Sequence, residues 1–142
     1  MWNSAHQHIL NLTAYEPGKP VEELAREMGL EPSAIIKLAS NENPLGPSPA
    51  ALEAMTAMLH RSHFYPDGGA WALRNAIAEK LGVNRENIIL GNGSNEIIEF
   101  IGHAFLNPGD EVIPAKHAFA VYSLMAQLFR ATTVEVPDPG YT

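Results

Sequence analysis

The chain has 142 residues, of which 46% are hydrophobic and 18% charged, a balance typical of a folded protein rather than a disordered one. Its 16 Asp and Glu residues outnumber its 9 Lys and Arg residues, and the net charge of -7 disfavours a nucleic-acid-binding surface. The lack of cysteine excludes disulfides, thiolate metal sites and cysteine nucleophiles. No apolar run approaches the length of a membrane span and no signal-peptide pattern is present, so we expect a cytoplasmic protein without membrane contact.

The first part of the chain predicts short elements separated by turns. Residues 20–28 are typical of a helix that begins at Pro20 and ends at Gly29, because proline suits the first helical position and glycine the position after the last. The apolar run at 35–38 is typical of a strand. The three prolines and one glycine of residues 40–49 then exclude regular structure from that segment.

Two further helices are predicted before residue 85. The first follows Ser48, a typical capping residue, and its apolar positions predict a buried stripe at Leu52, Met55 and Leu59. The second covers residues 71–81 and ends at Gly82. A turn at 65–69 separates the two helices.

From residue 87 onward, short apolar runs alternate with helical patterns. In chain order we predict a strand at 88–90, a turn at 91–93, a helix from Ser94, a strand at 111–113, a helix at 118–129 and a strand at 132–136. Strands that alternate with helices across short turns are typical of an α/β protein with a parallel sheet.

The sequence GNGSNE at 91–96 is a candidate anion site. Glycines let the backbone approach a ligand, and the free N–H groups of Ser94 and Asn95 at a helix start favour a phosphate. The motif lacks the third glycine of a dinucleotide fingerprint and the Lys of a P-loop. An ordinary turn followed by a serine cap is the commoner explanation of this motif taken alone.

Other candidate residues lie in turns or at the edge of the predicted sheet. Asn41 stands in the irregular 40–49 loop, where it serves either a ligand or a turn. Tyr15 and Tyr65 precede turns and suit surface packing, whereas Phe119 follows a strand and suits either a flat ligand or the end of the core. The histidines do not form a complete set of metal ligands.

Taken together, these motifs resemble the N-terminal part of the histidinol-phosphate aminotransferases, pyridoxal-phosphate enzymes of the aspartate-aminotransferase fold. The matching segments, in the order of the family, are 12–20 (LTAYEPGKP), 37–49 (KLASNENPLGPSP), 65–68 (YPDG), 89–100 (ILGNGSNEIIEF), 107–112 (NPGDEV) and 117–122 (HAFAVY). The resemblance implies the N-terminal part of a fold-type I transferase, with a helical arm followed by the first strands and helices of the large parallel-sheet domain. Residues 1–48 would form the arm and a small-domain segment, and residues 49–142 the incomplete large domain.

The resemblance also assigns cofactor contacts for pyridoxal 5'-phosphate. Gly93, Ser94 and Asn95 match the loop that binds the cofactor phosphate, and Phe119 matches the aromatic residue that stacks on the pyridine ring. Tyr65 matches a tyrosine that reaches the cofactor phosphate of the neighbouring subunit. This last match implies a homodimer with shared sites.

The reaction implied by the resemblance is the exchange of an amino group between L-glutamate and imidazole-acetol phosphate, which gives histidinol phosphate and 2-oxoglutarate in histidine biosynthesis. Tyr15 and Asn41 match positions near the substrate. No lysine of this sequence matches the family's Schiff-base lysine, which we expect beyond Thr142. The sequence therefore predicts an enzyme by family and an inactive polypeptide when these 142 residues stand alone.

Three alternatives stay open. Threonine-phosphate decarboxylases and aromatic aminotransferases share most of these motifs, and substrate preference would separate them from the first reading. A non-catalytic module that binds a phosphate or pairs with a partner chain is an alternative of another class. An α/β domain without a cofactor is the third, and it predicts no stabilisation by the cofactor.

Overall fold

In the computed structural model, which describes residues 4–15 and 17–141, helices dominate and one small parallel sheet is present. The helices are α1 (Gln7–Leu10), α2 (Val21–Met28), α3 (Pro49–Met58), α4 (Trp71–Leu81), α5 (Ser94–Phe105) and α6 (Val121–Leu128). The strands are β1 (Glu111–Val112) and β2 (Thr132–Thr133). Single 3-10 turns lie at Pro32–Ala34, Leu59–Arg61, Arg85–Asn87 and Pro139–Tyr141. Within residues 4–15 and 17–141, no helix combines the length and apolarity needed to cross a bilayer.

The chain divides into two compact units. One is discontinuous and contains the described parts of residues 1–16 and 86–142, whereas the other contains residues 17–85. Glu16, which belongs to the sequence motif at 12–20, lies outside the described residues.

The sheet lies in the discontinuous unit. β1 and β2 are parallel, with Glu111 opposite Thr132, and the pairing extends to a bridge between Ala115 and Val136. The Val134 N–H donates to the Val112 carbonyl at 2.9 Å, which continues the ladder between the two strands. Helix α6 makes the crossover between β1 and β2, so the predicted parallel pairing of these two segments is confirmed.

The core of this unit lies between α5, α6 and the sheet. Val121 and Ala126 of α6 are buried, and Gly102 of α5 lies under the ring of Phe129. A glycine at the contact lets the two helices approach closely, because a β-carbon at this position would overlap the ring.

The strands predicted at 35–38 and 88–90 are not present, and the sheet has two strands rather than three. Ile36, Leu38 and Ile89 are exposed instead of buried. A strand requires a neighbour that accepts and donates backbone hydrogen bonds, and the described residues provide no such neighbour for either segment. An apolar run alone therefore does not make a strand here.

The unit of residues 17–85 contains α2, α3 and α4. α4 occupies residues 71–81 as predicted, and α2 and α4 end at Gly29 and Gly82, whose φ angles are +65° and +67°. In both helices the next residue donates back to the fifth residue before it: Leu30 N–H to the Ala25 carbonyl, and Val83 N–H to the Ala78 carbonyl. This bond is that of a Schellman end, which requires a left-handed residue, and glycine meets that requirement without strain.

The start of α2 and the features predicted for α3 need correction. Pro20 is the N-cap of α2 rather than its first residue, and Ser48 makes no side-chain capping bond to α3. The predicted buried stripe of α3 is exposed along its length, at Leu52, Met55 and Leu59. Ala25 and Ala78 are the described apolar residues of this unit that are buried, so the unit offers α3 little core to pack against.

Candidate functional site

The turn before α5 is built on two glycines. The Gly93 N–H donates to the Gly91 carbonyl at 2.9 Å, and Gly93 has φ +81° and ψ 176°. This backbone conformation is essentially restricted to glycine, because a side chain would clash with its own backbone. The turn at 91–93 was predicted, and it is confirmed.

The start of α5 is capped differently from the prediction. Gly93 is the N-cap and Ser94 is the first helical residue, so the predicted capping by Ser94 is wrong. The carboxylate of Glu96 instead folds back and accepts the Asn92 N–H at 2.6 Å. In a capping box an acidic residue at the third helical position accepts the N–H of the N-cap, here Gly93, so this signature indicates that Glu96 folds back but not that its donor is Asn92.

This arrangement leaves donors at the helix start. The N–H groups of Ser94 and Asn95 donate to no residue within the described ranges, since Glu96 engages Asn92 instead. The dipole of a twelve-residue helix adds partial positive charge at the same end. The geometry therefore suits an anion with oxygen acceptors, as the sequence predicted for these residues.

A cavity of about 440 Å³ lies beside the sheet in the same unit. Its walls are the segments 13–15, 114–116 and 118–120, one face of α6 and Glu135. The ring of Tyr15 meets the ring of Phe119 edge to face, with the centroids 6.3 Å apart at 85°. Both rings are partly exposed, so the cavity offers two aromatic surfaces to a flat ligand.

The segment that carries Phe119 is held by turns rather than by helix. The Ala118 N–H donates to the Ala115 carbonyl at 3.0 Å, and the Tyr122 N–H donates to the Phe119 carbonyl at 3.1 Å. The sequence predicted that this helix begins at residue 118. These turns explain why α6 begins at Val121 instead. Phe119 thus stands on a loop at the carboxyl end of β1, where ligands of α/β proteins commonly bind.

His117, at the start of this loop, is in contact with Asp138. The His117 N–H and the His117 Nδ1 both lie within hydrogen-bond distance of Asp138 Oδ2, at 3.2 Å and 3.1 Å. The two residues are 21 positions apart in the chain. Nothing in their spacing predicts the contact, so the sequence reading missed it.

Tyr65 lies in the other unit, on an exposed apolar surface. Its side chain is fully exposed, beside a depression of about 690 Å³. The neighbouring Asp67 accepts the Gly69 N–H at 2.9 Å and the Trp71 N–H at 2.8 Å, which caps α4. The bonds from Trp71 and Gly69 hold the pKa of the Asp67 carboxyl below its ordinary value, because they stabilise the charged form. The sequence predicted only a turn at Asp67 and Gly69 and did not predict these bonds.

Asn41 occupies a left-handed turn in the same unit. Ser40 and Asn41 have φ angles of +70° and +50°, and the turn is spanned by an ion pair of 2.6 Å between Lys37 and Glu42. Two successive non-glycine residues with positive φ are uncommon, and such backbone strain is often found at ligand sites. Asn43 serves the loop itself, because its side chain accepts the Leu45 N–H at 3.0 Å.

The structure therefore brings together some of the predicted residues. Tyr15 and Phe119 share one cavity, and the described lining of that cavity does not include Gly93, Ser94 or Asn95. Asn41 and Tyr65 belong to the unit of residues 17–85. In the described part of the chain, no group of three or more His, Asp or Glu side chains is placed to hold a metal ion.

Comparison with known proteins gives matches over nearly the whole chain. The family model described as aminotransferase class I and II matches residues 33–140. Histidinol-phosphate aminotransferases of Akkermansia muciniphila and Methylobacillus flagellatus are 58% and 49% identical over 94% and 96% of this chain. Each match covers 37% of the relative, so the chain spans little more than a third of the length of these curated relatives.

Solved structures show the same fold. The histidinol-phosphate aminotransferase of Sinorhizobium meliloti, determined in complex with pyridoxal-5'-phosphate, matches 99% of this chain and 36% of its own, with a TM-score of 0.80 at 23% identity. An aspartate aminotransferase of Thermotoga maritima matches 94% of this chain and 37% of its own, with a TM-score of 0.71 at 21% identity. The predicted fold class, the N-terminal part of a fold-type I α/β transferase, is confirmed.

Proposed function

Because the chain belongs to the class I and II aminotransferases, we propose that it is the N-terminal part of a histidinol-phosphate aminotransferase. The whole enzyme would exchange an amino group between L-glutamate and imidazole-acetol phosphate and form histidinol phosphate and 2-oxoglutarate. The observation that carries this proposal is the 58% identity to a histidinol-phosphate aminotransferase over 94% of the chain. A cytoplasmic location and a place in histidine biosynthesis belong to the same proposal.

The proposed cofactor is pyridoxal 5'-phosphate, and the start of α5 suits its phosphate. The N–H groups of Ser94 and Asn95 are left without acceptors among the described residues, and Gly93 keeps side-chain atoms away from the approach. A doubly charged phosphate in this place would gain hydrogen bonds from the backbone and a favourable interaction with the helix dipole. The donor set therefore fits the group.

Phe119 and Tyr15 would form the part of the site that binds flat groups. We propose that Phe119 lies against the pyridine ring and keeps water from that face, while Tyr15 and Asn41 contact the substrate. The edge-to-face contact between Tyr15 and Phe119 holds the two rings in one wall of the cavity. The bound cofactor would supply an electron sink for the amino-group exchange.

The proton-transferring lysine of the reaction is proposed to lie outside these 142 residues. Lys19 pairs with Glu27, and Lys37 pairs with Glu42, so both ammonium groups are engaged in ion pairs. None of the four lysines, Lys19, Lys37, Lys80 and Lys116, matches the Schiff-base lysine of the family, so we propose that the 142-residue polypeptide by itself does not turn over substrate. Reduction of the cofactor complex with borohydride, followed by peptide mass spectrometry, would identify the lysine that binds the cofactor.

The proposed assembly is a homodimer in which Tyr65 reaches the site of the neighbouring subunit. The full exposure of Tyr65 and the apolar side chains around it, Met55, Met58 and Phe64, support this role. We also propose the predicted division of the chain, with residues 1–48 as the arm and a small-domain segment and residues 49–142 as the first part of the large domain.

A proline substitution tests the phosphate site directly. Ser94→Pro removes one N–H group at the first helical position, where proline is tolerated, and the extended ψ of Gly93 suits a following proline. We expect the Kd for pyridoxal phosphate to rise at least about tenfold, because a hydrogen bond to a charged group is lost. Ser94→Ala separates the contribution of the hydroxyl group from that of the N–H.

The matched control is Val21→Pro, at the first residue of α2, which also follows a residue with extended ψ. Titration of the protein as its gene encodes it, followed by cofactor absorbance, measures each Kd. Unchanged binding by Ser94→Pro would contradict the proposed cradle. Binding lost equally in Val21→Pro would show a folding effect instead.

Substrate preference and intact mass separate the remaining alternatives. A histidinol-phosphate aminotransferase should prefer histidinol phosphate by at least about tenfold over aromatic amino acids, whereas a threonine-phosphate decarboxylase would release carbon dioxide. An intact mass of the native gene product equal to 15.4 kDa would favour the non-catalytic module.

A further inference from the structure

A contact between His117 and Asp138 ties the loop that carries Phe119 to a distant part of the chain. Asp138 Oδ2 lies 3.2 Å from the His117 backbone nitrogen and 3.1 Å from His117 Nδ1. A carboxylate is an acceptor only, so the Nδ1 atom of His117 carries a proton in this contact. A single oxygen thus fixes both the backbone and the ring of His117.

The contact lies at a position in the chain from which it restrains the backbone that carries Phe119. On the side before His117, the Lys116 N–H donates to the Val136 carbonyl at 2.8 Å, which completes the pairing of the two strands. One tight turn, from Ala115 to Ala118, contains His117, and a second, from Phe119 to Tyr122, leads into α6. Asp138 holds the chain where the sheet ends and the turns begin, two residues before Phe119.

The ring of Phe119 is not enclosed by the core. It is partly exposed, it faces the cavity, and its ring contact is the edge-to-face one with Tyr15. A small rotation of the backbone at 117–118 would therefore turn the ring away from Tyr15. The Asp138 contact opposes that rotation through two hydrogen bonds to one partner.

We propose that His117 and Asp138 form a positioning pair that sets the orientation of the Phe119 ring in the cavity. Neither side chain is assigned contact with the cofactor, so both act through Phe119. The effect on the ring is a property of this fold, whereas its consequence for pyridoxal-phosphate binding rests on the proposed function. The pair would make the stacking wall rigid before the cofactor arrives, which favours binding because less motion remains to be lost.

Paired substitutions at both positions test the proposal. Asp138→Ala removes both bonds, whereas His117→Ala removes the bond from the ring and leaves the N–H of residue 117 able to donate to Asp138. Asp138→Asn keeps one acceptor oxygen, and His117→Asn keeps an N–H donor, so each conservative variant should retain part of the effect. Glu99→Gln is the matched control, because Glu99 pairs with His103 at 3.5 Å in the same unit and neither residue lines the cavity.

Two readouts on the protein as its gene encodes it are needed. The first is the NMR cross-relaxation between the ring protons of Tyr15 and Phe119, measured without cofactor. The second is the Kd for pyridoxal phosphate, with the visible circular dichroism of the bound cofactor. For Asp138→Ala we expect loss of the ring contact, weaker dichroism and a Kd raised by up to about tenfold, because the binding orientation of the Phe119 ring becomes less populated. For His117→Ala we expect smaller changes in the same direction, because one of the two bonds remains.

Each result decides the proposal. An unchanged ring contact in the two alanine variants would overturn it, and so would an equal loss in Glu99→Gln, which would indicate general loosening. Recovery of the contact in the asparagine variants would support it even if one alanine variant failed to fold. If the unsubstituted protein binds no pyridoxal phosphate, the proposed function fails, while the ring contact still decides the role of the pair.

Discussion

Gly102 of α5 lies beneath the ring of Phe129, the residue that follows α6. A β-carbon built at Gly102 would lie 2.1 Å from Phe129 Cε2 and 2.5 Å from Phe129 Cδ2. Ordinary contact begins near 3.4 Å, so the ring would have to move by more than about 1 Å. The substitution Gly102→Ala therefore probes how closely these two helices pack.

Two opposing contributions set the expected change in stability. Alanine gains about 1 kcal/mol over glycine in a helix interior. Overpacking a well-filled contact costs about 1–3 kcal/mol. The overlap is severe, and the Phe129 ring is also in edge contact with the His103 ring at 4.8 Å, so we take the upper part of this range. The net expectation is a loss of about 1–2 kcal/mol in the free energy of unfolding.

Urea unfolding followed by circular dichroism measures this change, and a double-mutant cycle isolates its cause. In a Phe129→Ala background the overlap is absent, so Gly102→Ala should stabilise the protein by about 1 kcal/mol through helix propensity alone. The sign of the effect should thus reverse between the two backgrounds. Stabilisation by Gly102→Ala in the unsubstituted protein would refute the packing argument.

Three further predictions follow from helix ends and from the proposed site. Arg130 has φ +60° at the end of α6, so Arg130→Gly should stabilise the protein by about 1 kcal/mol in urea unfolding. Gly82→Ala should destabilise it by about the same amount, and changes of the same sign in the free energy of unfolding would contradict this reasoning. Because the pKa of Asp67 is lowered in the folded state, the stability that its charge contributes to the protein is complete above the ordinary value of 3.8 and is lost as the pH falls through the lowered pKa. In acid unfolding, Asp67→Asn should therefore lack this pH-dependent loss of stability. Tyr65→Phe should raise the Kd for pyridoxal phosphate about tenfold without changing the sedimentation of the proposed dimer, and an unchanged Kd would remove Tyr65 from the proposed site.

The ends of the helices show how far local chemistry carries. Gly29 and Gly82 were predicted from the sequence as helix ends, since glycine adopts the required left-handed conformation freely. Arg130 has the same role after α6, where the Ala131 N–H donates to the Ala126 carbonyl at 2.8 Å. Arginine adopts this conformation only at an energetic cost, so its presence in the sequence does not predict a helix end. Only the packing of α6 places Arg130 at this position.

The strands show where local chemistry stops. β1 and β2 were predicted and are present, because each finds its partner within the described chain across the crossover of α6. The runs at 35–38 and 88–90 are more apolar than β1 and β2, but they have no such partner among the described residues and remain irregular. Helices satisfy their backbone groups from within, whereas a strand depends on a segment that its own residues do not specify.

The two halves of the candidate site differ in the same way. The turn at 91–93 and the open start of α5 are local, so the sequence alone indicated an anion site there. The aromatic half depends on contacts over long distances in the chain: α1 packs on α6, the Thr13 N–H lies 3.4 Å from Gln127 Oε1, and Asp138 holds the Phe119 loop. Loosening these contacts should therefore weaken binding of the flat ring while the phosphate cradle persists. Inorganic phosphate should then bind equally to the protein with these contacts intact and to the protein with them loosened, which distinguishes the two halves of the site.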